Sequence, residues 1–216
     1  TQNSEILAEG VPAGHGDDAA HALLPVGREV VVYGRATGAT KGQADRVDTF
    51  HRVRGPLQSI ATSADADFPT LAVLGQTVIL DAQTRSQPDT TNVVYLTTGT
   101  ILEVSGPVDG DGAVHAGHII VHTPDPSPAL PVSLKGTVSG LNPEEMTFYI
   151  NGQRIDYSDV DNTGNTFPVD DASVAVTGQL HEDTLVAAML SPFAPEHFDH
   201  LGDFAWPPHK EHDHYW

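Results

Sequence analysis

Four blocks of this chain recur in the same order in two stretches, so the fold has to be built from a unit that the chain uses twice. Val53-Arg54-Gly55-Pro56-Leu57 answers Leu134-Lys135-Gly136-Thr137-Val138, and Leu74-Gly75-Gln76-Thr77-Val78 answers Asn151-Gly152-Gln153-Arg154-Ile155. Leu102-Glu103-Val104-Ser105-Gly106 answers Val174-Ala175-Val176-Thr177-Gly178, and Val114-His115-Ala116 answers Leu185-Val186-Ala187. The blocks are mostly glycines and alternating apolar positions, the latter being the period of a half-buried strand. Two homologous β-modules are expected, at 52–122 and 132–191, joined by a Pro-rich linker at 123–131.

The rest of the chain agrees with an all-β class. Short β-branched runs stand at 29–33, 70–80, 100–104, 148–155 and 173–177, and helical periodicity is almost missing. Asn151-Gly152 supplies the two positive-φ residues of a tight hairpin, and Asp109-Gly110-Asp111-Gly112 is a second turn signal. Residues 1–51 form an N-terminal extension in which Val26-Gly27-Arg28-Glu29-Val30-Val31-Val32-Tyr33-Gly34 copies the late strand of a module without its earlier part. Such an orphan strand needs a sheet to join.

This order of strand, Asn-Gly-like hairpin, V-x-V-x-G strand and short closing strand resembles a family of exported bacterial tandem β-modules of unknown function with small OB-like barrels. The resemblance covers about 26–191. It implies a fold of two OB-like barrels and export, and it assigns no catalytic residue.

Charge restricts the partners. With 29 acids against 10 bases the chain is net −19, which disfavours nucleic acid and anionic membrane. Six of the bases, Arg28, Arg35, Lys41, Arg46, Arg52 and Arg54, are opposed locally only by Glu29, Asp45 and Asp48. This basic stretch is either a solvated face or a dock for an acidic surface of the same chain or of a copy. Cysteine is absent, which excludes disulfides, thiolate metal sites and covalently attached haem. No stretch is long and apolar enough to span a membrane. The start at Thr1 suits a processed protein that is secreted, extracellular or periplasmic.

Residues 192–216 stand apart as a His- and aromatic-rich tail. His197-x-x-His200 and His209-x-x-His212-x-His214 set imidazoles at spacings that share a face on a helical turn or a strand. Imidazole without thiolate suits Cu(II), Zn(II) or Ni(II). Phe204, Trp206, Tyr215 and Trp216 are candidate interface anchors, and their presence favours a tail that is docked and ordered.

Other constellations are weaker. Asp159, Asp161, Thr163, Asn165 and Asp170 follow the ligand spacing of a calcium loop, although Asp170 stands where a bidentate Glu belongs. His115, His118 and His122 form a smaller group, with His118 opposite Met189 in the repeat and expected to be a half-buried, satisfied histidine. Nucleophile-elbow, phosphate-loop, dinucleotide and zinc-protease motifs are missing, so a non-enzymatic role is expected. Two roles fit: an exported protein binding a transition metal through its tail, or a structural subunit of an extracellular assembly or filament whose N-terminal strand and tail dock on neighbouring copies.

Overall fold

The computed structural model of the chain describes residues 4–62, 68–88, 96–122, 131–160 and 168–193. The all-β class holds, with one short helix. A four-stranded N-terminal sheet comprises β1 (Glu5–Ala8), β2 (Val11–His15), β3 (Glu29–Gly38) and β4 (Lys41–Phe50) in the order β2-β1-β4-β3. Strand β1 runs parallel to β4, and the other two ladders are antiparallel. Helix α1 (Gly16–Leu23), unexpected from the sequence, links β2 to β3 and carries Asp17 and Asp18 in its first turn, where acids suit the positive end of the peptide dipoles.

The second sheet holds thirteen strands. Its first half contains β5 (Val53–Ala61), β6 (Thr70–Val73), β7 (Gln76–Ile79), β8 (Arg85–Gln87), β9 (Ile101–Ser105), β10 (Val114–His115) and β11 (His118–His122). Its second half contains β12 (Val132–Thr137), β13 (Ser139–Asn142), β14 (Thr147–Ile150), β15 (Gln153–Asp156), β16 (Ser173–His181) and β17 (Thr184–Pro192). Corresponding residues take corresponding partners. Val53 faces Val104 as Leu134 faces Val176, Val78 faces Val114 as Ile155 faces Leu185, and His118 faces Ser105 as Met189 faces Thr177. Even side-chain bonds recur: Gln76 Nε2 donates to the Gly112 carbonyl at 2.6 Å and Gln153 Nε2 to the Asp183 carbonyl at 2.6 Å.

The expected OB-like barrels are not formed as closed units. Strands β5 and β12 pair with each other at Val53 with Leu134 and Arg54 with Ser133, so one open sheet runs through both halves. A single apolar cluster follows it, from Val53 and Leu102 in one half to Leu134, Phe148 and Leu185 in the other. The orphan strand finds its sheet in the N-terminal extension itself, where β3 pairs with β4.

Candidate functional site

Alternation along β3 sends Val31 and Tyr33 to one face of the N-terminal sheet, and the register with β4 puts Asp48 and Phe50 beside them. That face is turned toward the β16–β17 ladder, from which Ala175, Thr177, Met189 and Ser191 project. Between them lies a cleft of about 420 Å³, completed by Glu9, Lys135, Pro192 and Phe193. Its walls are polar and apolar in nearly equal measure, with the aromatic rings of Tyr33, Phe50 and Phe193 beside the charged Glu9, Asp48 and Lys135.

The charged groups form a clamp joining three elements. Lys135 on β12 is buried, and its Nζ donates to Glu9 Oε2 at 2.7 Å and to the His51 carbonyl at 2.7 Å. The ammonium also lies 5.8 Å from the Phe50 ring centre and 5.7 Å from that of Phe193. Glu9 sits in the β1–β2 turn, where its Oε1 is 2.8 Å from His51 Nδ1 and accepts the His51 backbone N–H at 2.8 Å. Burial acts to raise the Glu9 carboxyl, but the hydrogen bonds and charges of His51 and Lys135 prevail and hold it at about 2. Burial lowers both His51 and Lys135, against the pull of Glu9 on each. A buried ammonium is tolerable only when paired and hydrogen-bonded in this way.

His51 Nε2 meets Ser133 Oγ, so Ser133, His51 and Glu9 stand in the order of a catalytic triad. Ser133 is 4% exposed, lies in mid-ladder between β5 and β16, and is not part of the cleft wall. A reacting carbonyl needs a place about 3 Å from the nucleophile. The strand offers Ser133 none, and the trio acts as a clamp.

The corresponding face of the first half is filled. There Glu103 takes the place of Ala175, and it is buried against Arg28, with Arg54 at 3.9 Å, His51 at 3.8 Å and His122 at 3.6 Å. Gly27 packs on the Gly117 backbone so closely that a Cβ on either glycine would strike the other. The Glu29 carboxylate accepts the Gly106 N–H at 3.4 Å, and Ser105 Oγ donates to the Phe50 carbonyl at 3.2 Å. Part of the basic stretch thus docks on an acid of the same chain through Arg28 and Arg54, whereas Arg52 and Arg46 pair nearby with Glu29 and Asp48.

Of the residues singled out in the sequence, His197, His200, His209, His212, His214, Phe204, Trp206, Tyr215 and Trp216 lie outside the described residues, as do Asp161, Thr163 and Asn165. Asp170 gives one carboxylate oxygen to the Leu141 N–H at 3.0 Å. His115 is exposed and pairs with Asp109 at 2.9 Å, while His118 is buried and its protonation is depressed by burial and by Arg28. Met189, which matches the partly-core position of His118 in the repeat, is 64% exposed at the cleft mouth, where among the described residues no segment corresponding to 27–29 lies over it. Among the described residues no group of three or more His, Asp or Glu is placed to hold a metal. Sequence reading missed Glu9, His51 and Lys135. The available signal was the recurrence of the blocks, which sets Lys135 where Arg54 stands, giving a base at the matching place in both.

Residues 54–120, under a third of the chain, match the family described as a domain of unknown function, DUF5666. The matched stretch covers β5–β11 almost entirely. No curated protein and no solved structure matches the chain.

Proposed function

We propose that this chain is a non-enzymatic subunit that associates with further copies of itself, using its two related β-modules as a scaffold. The observation that carries the reading is the outer edge of β3. This ten-residue strand ends the order β2-β1-β4-β3, and no ladder covers its outer side among the described residues. Its side chains Val30, Val32 and Tyr33 are 41%, 46% and 45% exposed. An unpaired edge with apolar side chains is a template for another strand. Register shifts at Tyr33/Gly34 and Ala36/Gly38 distort the far end, leaving 29–33 as the regular stretch. Two copies pairing antiparallel there give a closed, two-fold dimer.

Sedimentation velocity across a dilution series tests this. The chain is expected to double in mass as concentration rises, and Val32→Lys, which places a charge on the edge, to stay monomeric. A wild-type chain that stays monomeric throughout refutes the reading.

A second reading is favoured by the His spacing of the tail: His197, His200, His209, His212 and His214 bind Cu(II), Zn(II) or Ni(II). Titration of chelator-treated, untagged protein with each metal, repeated with these five histidines changed to Gln, tests it. Equal uptake by the two proteins removes the tail as the site.

A further inference from the structure

We infer that the cleft between β3–β4 and β16–β17 is the seat of the chain's own C-terminal segment, residues 194–216, docking within the same molecule. The first support is the matching face of the first half. There the surface carrying Glu103, Ser105 and His118 is sealed by residues 27–29, and all three are buried. The second half presents the corresponding surface through Ala175, Thr177 and Met189, and among the described residues it is open. A surface of this architecture that is covered in one half takes a length of chain, and the open one has room of about 420 Å³ for another.

The second support is where the chain goes. Pro192 and Phe193 are part of the cleft wall, and Phe193 packs edge-on against Phe50 with ring centres 5.4 Å apart. Residues that follow Phe193 therefore start at the cleft, and a tethered segment competes at millimolar effective concentration. The third support is chemistry. Tyr33, Phe50, Phe193 and Met189 offer an aromatic and thioether surface, and the 23 residues beyond Phe193 carry Phe198, Phe204, Trp206, Tyr215 and Trp216. Large aromatic side chains gain most from such a surface.

Trp206 and Trp216 are the only tryptophans of the chain, so indole emission reads this segment with no background. Full-length protein is compared with a synthetic peptide of residues 194–216. Emission of the full chain is expected to lie to the blue of the peptide's and to be quenched less by acrylamide. Met189→Glu, at an exposed cleft-mouth position, is expected to return both readings to those of the peptide, and Met189→Leu to leave them as in the wild type. Wild-type emission and quenching equal to the peptide's overturn the proposal, as does protection that survives Met189→Glu. Protection that appears only as concentration rises overturns docking within one molecule and assigns the cleft to the segment of a second copy. The inference does not rest on association through β3: a monomeric Val32→Lys chain keeps the blue-shifted emission.

Discussion

Replacing Glu9 by glutamine and replacing Lys135 by methionine break the same ion pair, yet unequal losses are expected. Glu9→Gln removes the counter-charge of a buried ammonium and leaves one acceptor oxygen where Lys135 and His51 had two, which costs about 2–3 kcal/mol. Lys135→Met leaves a carboxylate that is 37% exposed and still bonded to His51, a loss of about 1 kcal/mol or less. Urea unfolding at neutral pH checks the order, and a larger loss in Lys135→Met contradicts the clamp. The same pair sets a pH dependence. Because Glu9 is held at about 2 against an ordinary 4.5, its stabilisation is complete above about pH 4.5 and is lost as pH falls toward 2. His51, depressed below its ordinary 6.5, acts in the same direction, since on acidification the unfolded chain takes up a proton that the native chain resists. Melting temperatures are thus expected to fall from about pH 6.5 downward, with a shallower slope below 4.5 in Glu9→Gln. Two glycines at matching turn positions make a second contrast. Gly75 and Gly152 have φ of +71° and +83°, but a Cβ at Gly75 would lie 2.7 Å from the Asn151 carbonyl oxygen, whereas one at Gly152 would meet nothing within 4 Å. Gly152→Ala is expected to cost about 1–2 kcal/mol, from its left-handed backbone alone. Gly75→Ala should cost clearly more in the same urea assay.

At the scale of the element, the two hairpins show what the sequence discloses and what it hides. Asn151-Gly152 announces its turn, because both residues accept positive φ, and the β14–β15 hairpin stands where that pair predicts it. Leu74-Gly75 makes a corresponding turn between β6 and β7 with Leu74 at φ +47°, a conformation leucine disfavours, so 70–80 reads as one run. Tertiary packing supplies what propensity withholds: Leu74 is fully buried and lies over Gly55, where a Cβ would come within 2.5 Å of its Cγ. Helix α1 escapes notice for another reason, since eight residues give too few turns for an apolar period to emerge. The hairpins also differ in load. Gln76 and Gln153 tie their strands to matching loops, but Gln76 Oε1 additionally accepts from Asn151 across the halves. Gln76→Ala is expected to destabilise by about 2 kcal/mol and Gln153→Ala by about 1 kcal/mol, read by chemical denaturation. Equal losses would mean that the cross-half bond contributes nothing.

Across the whole molecule, stability is unevenly distributed. The large apolar cluster draws on residues from Val53 to Ala187 and includes none of Ile6, Leu7, Val47 or Phe50, which are buried in the N-terminal sheet. That sheet is held to the rest by ion pairs, Arg28 with Glu103 and Lys135 with Glu9, and by the packing around Phe50. Hydrogen exchange is therefore expected to find amides of β3 and β4 opening before those of β12 and β16, and acidification to widen the gap as the carboxylates protonate. Simultaneous loss of protection everywhere refutes this. The distribution also explains why the clamp could not be read from the sequence. Glu9 and Lys135 are 126 positions apart, so no local spacing connects them. The recurring sequence blocks, in contrast, lie along the chain and could be read directly. The seam where β5 meets β12 sets Val53 opposite Leu134, and the Lys135 N–H to Arg52 carbonyl bond stands across it from the Arg54–Ser133 pairing. Matching residues thus face each other about a local two-fold axis. In a homodimer of one half, every residue on that axis would meet its own copy, and a charge there would repel itself. Within one chain the two sides mutate separately, so Glu103 on one side can answer to Ala175 on the other, and a paired surface is free to become one lock already closed and one left open.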